Sequence, residues 1–237
     1  MAARVRQSAS GACVARARFV HIQNPCAPPD EKSGFVSASK ASCQSHDHAL
    51  PSALARRASS SAGRELLLDA PPVQQPGQRF HSDITYIPTG EGWLYTAATL
   101  DGYSRKCAGW SADDNMETSL VLRAAQRAFA DASADAAVHH SDRGSQYASE
   151  GFRNFLSDCD IVQSMSRRGN CYDNALMESF WATLKTECFD NFRSGIPQTR
   201  QQAKQQLFAY IEVFYNRKRL HSSLGYISPE AFEAGLN

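Results

Sequence analysis

The chain has 237 residues, 42% hydrophobic and 10% aromatic, with a formal net charge of +1. That gives room for one large or two small domains with a real core, and the near-neutral total does not by itself announce a nucleic-acid partner. No apolar run reaches membrane-spanning length and the N-terminus lacks the continuous h-region of a signal peptide, and a cytoplasmic protein with no membrane partner is expected. The distribution of charge says more than the sum. Residues 1–70 carry 9 Lys+Arg against 5 acids, residues 71–160 carry 7 against 12, and residues 161–237 carry 9 against 7. An acidic centre between more basic ends suits a carboxylate metal site with basic arms. Seven cysteines (13, 26, 43, 107, 159, 171, 188) without a C-x-x-C pair read as free thiols of a reducing compartment.

In chain order, residues 1–71 form an Ala/Ser/Arg-rich segment and linker. Ala and Ser supply 26 of the first 70 residues, and only Phe19 and Phe35 of the 23 aromatics lie there. Such a segment buries little and is expected to be poorly ordered, with at most isolated helices around Ala49–Ala58 or Arg64–Asp69. Cys43, His46 and His48 lack a second ligand pair at finger spacing and do not read as a zinc site. Leu66–Leu68 followed by Pro71, Pro72 and Pro76 read as a linker. A catalytic core is expected over 72–195, with a C-terminal helix and basic tail, 196–237, packed on it. Alternating β-branched and aromatic residues predict strands over Arg79–Pro88, Trp93–Leu100 and Arg105–Ser111, joined by short turns. An amphipathic helix follows over Glu117–Ala132, then a strand over Ala136–His140, a helix over Ser149–Ser157 and a strand over Ile161–Met165. The sequence D-N-A-L-M-E-S-F-W-A-T-L-K-T-E at Asp173–Glu187 reads as a helix N-capped by Asp173 or Asn174. At 100° per residue Leu176, Met177, Phe180, Trp181, Leu184 and Cys188 fill an arc of about 140°. Glu178 and Lys185, seven apart, share a line just off that stripe. A last helix runs from Gln198 to about Arg217. The order β-β-β-α-β-α-β-α predicts an α/β fold, a mixed five-stranded sheet flanked by helices.

Three acids stand out in this arrangement. Asp83 sits mid-strand, where an unpaired buried carboxylate is very costly. Asp142 sits at the C-terminal tip of the fourth strand, the end at which α/β sheets place their sites. Glu178 lies on the rim of the later helix. If the first and fourth strands are neighbours, the three converge, and their oxygens suit two Mg²⁺ ions able to support an in-line phosphoryl displacement. Lys185 would then face a phosphate. His139 and His140, adjacent on a strand, point to opposite faces and cannot readily share one ion, so His140 reads as structural. Gly144 reads as the residue of a tight turn after Asp142. Gly169-Asn170 and Asp173-Asn174 read as turn and cap residues, or as contacts to a DNA strand near the site.

The blocks F-x-x-D-I-T-Y at Phe80–Tyr86, D-x-x-S-R at Asp101–Arg105, H-S-D-R-G-S-Q-Y at His140–Tyr147 and Ser164–Glu187, with the tail signature from Tyr215 to Pro229, together resemble the DDE transposases of bacterial insertion sequences. More narrowly they resemble the second-frame (OrfB-type) subunit, whose core is similar to retroviral integrase. The resemblance covers about residues 72–235. Asp142 and Glu178 are separated by 35 residues, the interval of the D-D-35-E signature. It implies an RNase H-like fold, Asp83, Asp142 and Glu178 as the catalytic and metal-binding triad, two Mg²⁺ or Mn²⁺ ions, and cleavage at DNA 3′ ends followed by strand transfer. It also implies DNA as partner, both element ends and target, a homo-oligomer assembled on that DNA, and location at the nucleoid. Lys185 would be the basic residue of the catalytic helix that touches DNA. Arg143, Asn174 and the run Arg217, Lys218 and Arg219, the last beside Tyr210, Phe214 and Tyr215, are the other expected DNA contacts. Phe80 stands where the family usually has Trp. The helix-turn-helix periodicity that the family carries near its N-terminus is not found in residues 1–70, which implies a separate helix-turn-helix subunit from an upstream frame. Two other readings accompany the active transposase: a competent core lacking its own DNA recognition, and a non-enzymatic DNA-binding remnant or regulator.

Overall fold

A computed structural model describes residues 67, 72–130, 137–167, 174–190 and 196–235. The expectations for residues 1–66 and 68–71, including Cys43, His46 and His48, and those for Gly169, Asn170 and Asp173, fall outside the described residues.

Strands β1 (Arg79–Thr89), β2 (Gly92–Asp101) and β3 (Cys107–Asp113) form an antiparallel meander. The first turn is closed by the Thr89 hydroxyl donating to the Gly92 carbonyl at 2.6 Å, with Gly92 at φ +101°. The second is built on the Asp101 carboxylate, which accepts the backbone N–H groups of Tyr103 and Ser104 at 2.9 and 2.7 Å. Arg105 follows at φ +65°, a left-handed conformation that cannot continue a strand, so β3 begins at Cys107 and not at Arg105 as the alternation predicts. Helix α1 (Thr118–Phe129) crosses β3 at Gly109, where an added Cβ would lie 2.3 Å from the Ala124 carbonyl oxygen. Strand β4 (Val138–Ser141) then runs parallel to β1, and β5 (Val162–Met165) parallel to β4. Between them lies helix α2 (Glu150–Asp158), whose N-cap Ser149 side chain accepts from the Phe152 N–H. The sheet order is β3-β2-β1-β4-β5, the mixed five-stranded sheet expected.

The remaining helices cover one sheet face. Helix α3 (Ala175–Leu184) continues without a break as a π-helix over Lys185–Asp190. Helix α4 (Arg200–Phe208) does the same over Ala209–Tyr215. Each π segment occupies ground where the periodicity predicts one uninterrupted α-helix. A short helix α5 (Pro229–Ala234), with Pro at its first turn and a Ser228 cap, closes the described chain. Ile87, Leu94, Ala98, Leu100 and Trp110 form the sheet side of one apolar cluster, and Met177, Phe180, Trp181, Leu184, Leu207 and Ile211 the helix side. The opposite face packs Phe80 and Ala97 on α1 and α2 through Leu120, Val121, Ala124, Phe129 and Phe152. Phe80 lies 4.9 Å from Phe129, ring centre to ring centre, and so fills a packing position. Among the described residues no helix is long and apolar enough to cross a membrane.

Candidate active site

Strand length creates the site. The β1–β4 ladder pairs Ser82 with Ser141 and ends there, while β1 runs on to Thr89. The notch this leaves lies at the C-terminal end of a parallel strand. Asp83 and Asp142 are the first residues past the last paired position, so they leave the ladder side by side. Asp83 pairs with Ala98 on β2, and Ala98 belongs to the face covered by α3. The Asn174 side chain brings α3 in: its Nδ2 donates to the Ser82 carbonyl at 3.2 Å, immediately before Asp83. Asn174 takes the N-cap position that the sequence predicts, but its side chain makes no capping bond. Its side chain is buried, 7% exposed, which spends it on the fold. One turn further along α3, Glu178 is exposed at the notch.

The electrostatics agree with this placement. Asp83 is raised from the usual carboxylate value to about 7, first by burial and then by the charges of Asp142 and Glu178, against the stabilising Ile84 backbone hydrogen bond. The Trp181 indole nitrogen, on the apolar stripe of α3, is buried without a formed hydrogen bond, yet its dipole favours the Asp83 anion. Periodicity assigned Trp181 to the core and could not show that its one polar atom turns toward a carboxylate. Asp142 is exposed, and its Oδ1 accepts the Gly144 N–H at 2.9 Å. Among the described residues no three His, Cys, Asp or Glu side chains are gathered closely enough to hold a metal ion. The donor set nevertheless suits a hard divalent cation: two exposed carboxylates and one half-buried carboxylate, Asp83, which has no ion pair among the described residues.

Behind the carboxylates stands a buried polar lattice. His139 Nε2 and the Ser82 hydroxyl are 2.8 Å apart, and that hydroxyl is 2.7 Å from Thr99 Oγ1. On the other face His140 bridges the hydroxyls of Ser164 and Ser166 at 2.9 and 3.2 Å. The two imidazoles thus point apart, as strand alternation requires, and both hold the ends of β1, β4 and β5 together.

The expected DNA contacts have different environments. The Lys185 ammonium lies 5.4 Å from the Tyr86 ring centre, at the free edge of β1 beyond the notch. Arg143 donates to the Ser166 carbonyl at 2.8 Å. Arg217 is largely exposed and 3.5 Å from Glu230, and Lys218 is exposed. Arg219 turns inward and grips Glu187 through Nε and a terminal nitrogen, at 2.8 Å for the closest contacts.

The integrase core domain family matches residues 73–171 and, through a second description of the same name, residues 159–229. The transposase for insertion sequence element IS904 of Lactococcus lactis is 43% identical over 159 residues, covering 67% of this chain and 62% of that protein. The insertion element IS600 31 kDa protein of Shigella sonnei is 44% identical over 158 residues, covering 66% and 57%. The chain belongs to the integrase core domain family. It spans about three-fifths of the length of these two curated relatives. Transposase InsF for IS3A of Escherichia coli matches at 42% over 161 residues, covering 67% of this chain and 54% of that protein. Two solved structures share the chain's RNase H-like fold. A chain of the simian T-cell lymphotropic virus intasome in complex with PP2A regulatory subunit B56 gamma gives a TM-score of 0.57 at 16% identity, covering 72% of this chain and 58% of that one. The HTLV-2 integrase catalytic core domain in complex with magnesium gives 0.50 at 12%, covering 68% and 99%. In this chain the tail signature is structural. Asn216 accepts the Cys107 N–H at 2.9 Å and donates to its carbonyl at 3.1 Å, extending the start of β3 with a side chain.

Proposed function

We propose that the chain catalyses metal-dependent cleavage at DNA 3′ ends and transfer of the freed ends into target DNA. The observation that carries this reading is that Asp83 and Asp142 each directly follow the last paired position of the β1–β4 ladder, Ser82–Ser141, with Glu178 close enough to raise Asp83, in the D-D-35-E spacing. Asp83, Asp142 and Glu178 would hold the divalent cations, Mg²⁺ or Mn²⁺ and two in number. Bound there, the cations supply charge stabilisation at the phosphoryl group and lower the pKa of the attacking hydroxyl. In cleavage, water attacks phosphorus and the bond to the 3′ oxygen breaks, leaving a 3′-hydroxyl. In transfer that hydroxyl attacks a target phosphodiester and displaces a target 3′-hydroxyl. The protein's own residues position and exclude. Asn174 fixes α3 against β1, the Gly144 N–H orients Asp142, and the apolar wall of Trp181 and Leu184 keeps Asp83 out of bulk water. Lys185, at the open edge of β1, is placed to meet a phosphate of the bound strand. DNA ends and target DNA, a homo-oligomer on that DNA and an upstream-frame helix-turn-helix subunit are the partners this reading implies. It also implies a cytoplasmic, nucleoid-associated protein, in keeping with Cys107 and Cys188 being free thiols.

The test is Asp83→Asn, Asp142→Asn and Glu178→Gln, each assayed for Mg²⁺-dependent cleavage and joining of element-end DNA and for melting with and without Mg²⁺. Each change should abolish both reactions and the Mg²⁺-dependent rise in melting temperature, while the metal-free protein melts no lower than the unaltered chain. Retained strand transfer in any of the three overturns the assignment. Nonspecific nicking without end joining by the unaltered protein identifies instead a core that needs a partner for recognition.

A further inference from the structure

Helix α3 turns two polar faces outward. Glu178 and Lys185 lie toward the carboxylate notch. Ser179 and Thr183, about 130° around the helix at 3.6 residues per turn, face elsewhere. They line a cavity of about 390 Å³, whose other walls are the β2–β3 turn and the C-terminal tail. The turn contributes Arg105, and the tail contributes Arg219, His221 and Ser222.

Tyr215 joins these walls. Its hydroxyl donates to the Arg105 carbonyl at 3.0 Å, its ring meets His221 edge-on at 4.9 Å, and the Arg219 guanidinium lies 6.0 Å from its centre. The cavity is therefore shaped by packed and bonded groups. Two features in it are unexplained by the fold. Arg105 holds a left-handed backbone at φ +65°, a conformation that is uncommon outside Gly, Asn and Asp, and its guanidinium forms no hydrogen bond or ion pair among the described residues. His221 Nε2 is buried without a hydrogen-bond partner among the described residues. The charge count is also specific. Arg105 and Arg219 bring two positive charges and Glu187, bonded to Arg219, brings one negative, leaving a single positive charge at the cavity. His221 adds none: burial first, and then the Arg219 charge, lower it to about 4.

We propose that this cavity binds one backbone phosphodiester of DNA, with Arg105 as counter-charge and Arg219, His221 Nε2 and the Ser179 and Thr183 hydroxyls as polar contacts. The inference rests on the reading of the chain as a DNA-acting transposase. A phosphodiester carries the single negative charge the cavity lacks, and guanidinium, imidazole and hydroxyl groups are the ordinary partners of phosphate oxygens. Because the cavity opens on the side of α3 away from Glu178, the strand it holds is a segment other than the one whose bond faces the carboxylates. It acts as an anchor that fixes DNA register on the protein without reading sequence.

The experiment uses the full chain carrying Asp83→Asn, so that binding is read without turnover. A fluorescent random-sequence duplex is titrated at several salt concentrations into this protein and into versions adding Arg105→Asn or Thr183→Glu. Asn tolerates the left-handed backbone at position 105, and Thr183→Glu places a negative charge at the cavity from another wall. Arg105→Asn should weaken binding and reduce the slope of log affinity against log salt by about 0.9, the value of one phosphate contact. Thr183→Glu should weaken binding at least as much, with melting unchanged in both. Unchanged affinity and slope in both versions overturn the proposal. So does a cavity that binds inorganic phosphate alone, seen as an Arg105-dependent rise in melting temperature with no change in duplex binding. Failure of the catalytic assignment is read separately, as strand transfer retained by Asp83→Asn.

Discussion

At the scale of the residue, the buried histidines show how a polar group is accommodated next to a charged site. His139 is wholly buried among Phe129, Tyr147 and Phe152, and its contact with the Ser82 hydroxyl lies immediately behind Asp83. Burial, and secondarily His140, lowers His139 from 6.5 to about 3, so it is neutral in the fold. The unfolded chain binds a proton at this residue below about pH 6.5 and the folded chain does not, so its contribution to stability is complete above that pH and is lost as pH falls toward 3. The slope for one proton is about 1.4 kcal/mol per pH unit. His81, also lowered to about 3, acts in the same direction, and Asp83, raised to about 7, acts in the opposite one. Both are common to a comparison of the unaltered protein with His139→Gln and cancel in it. Urea unfolding between about pH 4 and pH 6 should show the His139→Gln slope flatter by close to one proton. Equal slopes would mean that His139 is protonated in the fold.

At the scale of the element, helix α3 is held at both ends by side chains. Asn174 ties its start to β1, and Glu187, in the π-helical continuation, ties its end to the tail. Glu187 accepts the Arg219 fork and, at 2.8 Å, the Tyr210 hydroxyl. The Arg219 hydrogen bond holds the Glu187 carboxyl below the usual carboxylate range. The pair is about a quarter exposed on each side, so solvent screens part of its attraction. Removing the carboxylate also strands a partly buried guanidinium and a tyrosine hydroxyl. Glu187→Ala should therefore destabilise the protein by roughly 1–3 kcal/mol, read as a lowered urea midpoint with an unchanged m-value. A loss below a few tenths of a kcal/mol would place the tie among inconsequential surface pairs.

At the scale of the molecule, the two apolar clusters draw their buried residues from Phe80 to Tyr215, and the sheet lies between them. The first 70 residues carry two aromatics and few large apolar side chains, and against a backbone ordering cost of about 1–2 kcal/mol per residue that composition predicts that they add little to the stability of the core. A chain beginning at Pro72 should melt cooperatively within a few degrees of the full chain and retain Mg²⁺-dependent joining of pre-cut ends. A cooperative melt of residues 1–70 alone, or loss of joining on truncation, would make that segment a domain in its own right.

What the sequence determined by itself was whatever depends on residues close together in the chain. Alternation placed the three meander strands, amphipathic spacing placed α1, α2 and the stripe from Met177 to Cys188, and adjacency on a strand sent His139 and His140 to opposite faces. The spacing of Asp142 and Glu178, with the blocks around them, pointed to the family before any contact was known. Tertiary structure decided what depends on pairing between distant segments. That β4 lies beside β1 in the register Ser82–Ser141 is set by hydrogen bonds between segments almost sixty residues apart, and only this brings Asp83 to Asp142. Local rules gave Asn174 a cap and Arg219 a place in a basic surface run. The fold kept Asn174 at the cap position but gave its side chain the Ser82 carbonyl, and it gave Arg219 the Glu187 carboxylate, partners that no local pattern contains. Likewise the left-handed turn at Arg105 and the π-helical continuations of α3 and α4 occur where side-chain periodicity is intact, because periodicity reports which residues face the core and is nearly silent on which carbonyl each N–H reaches.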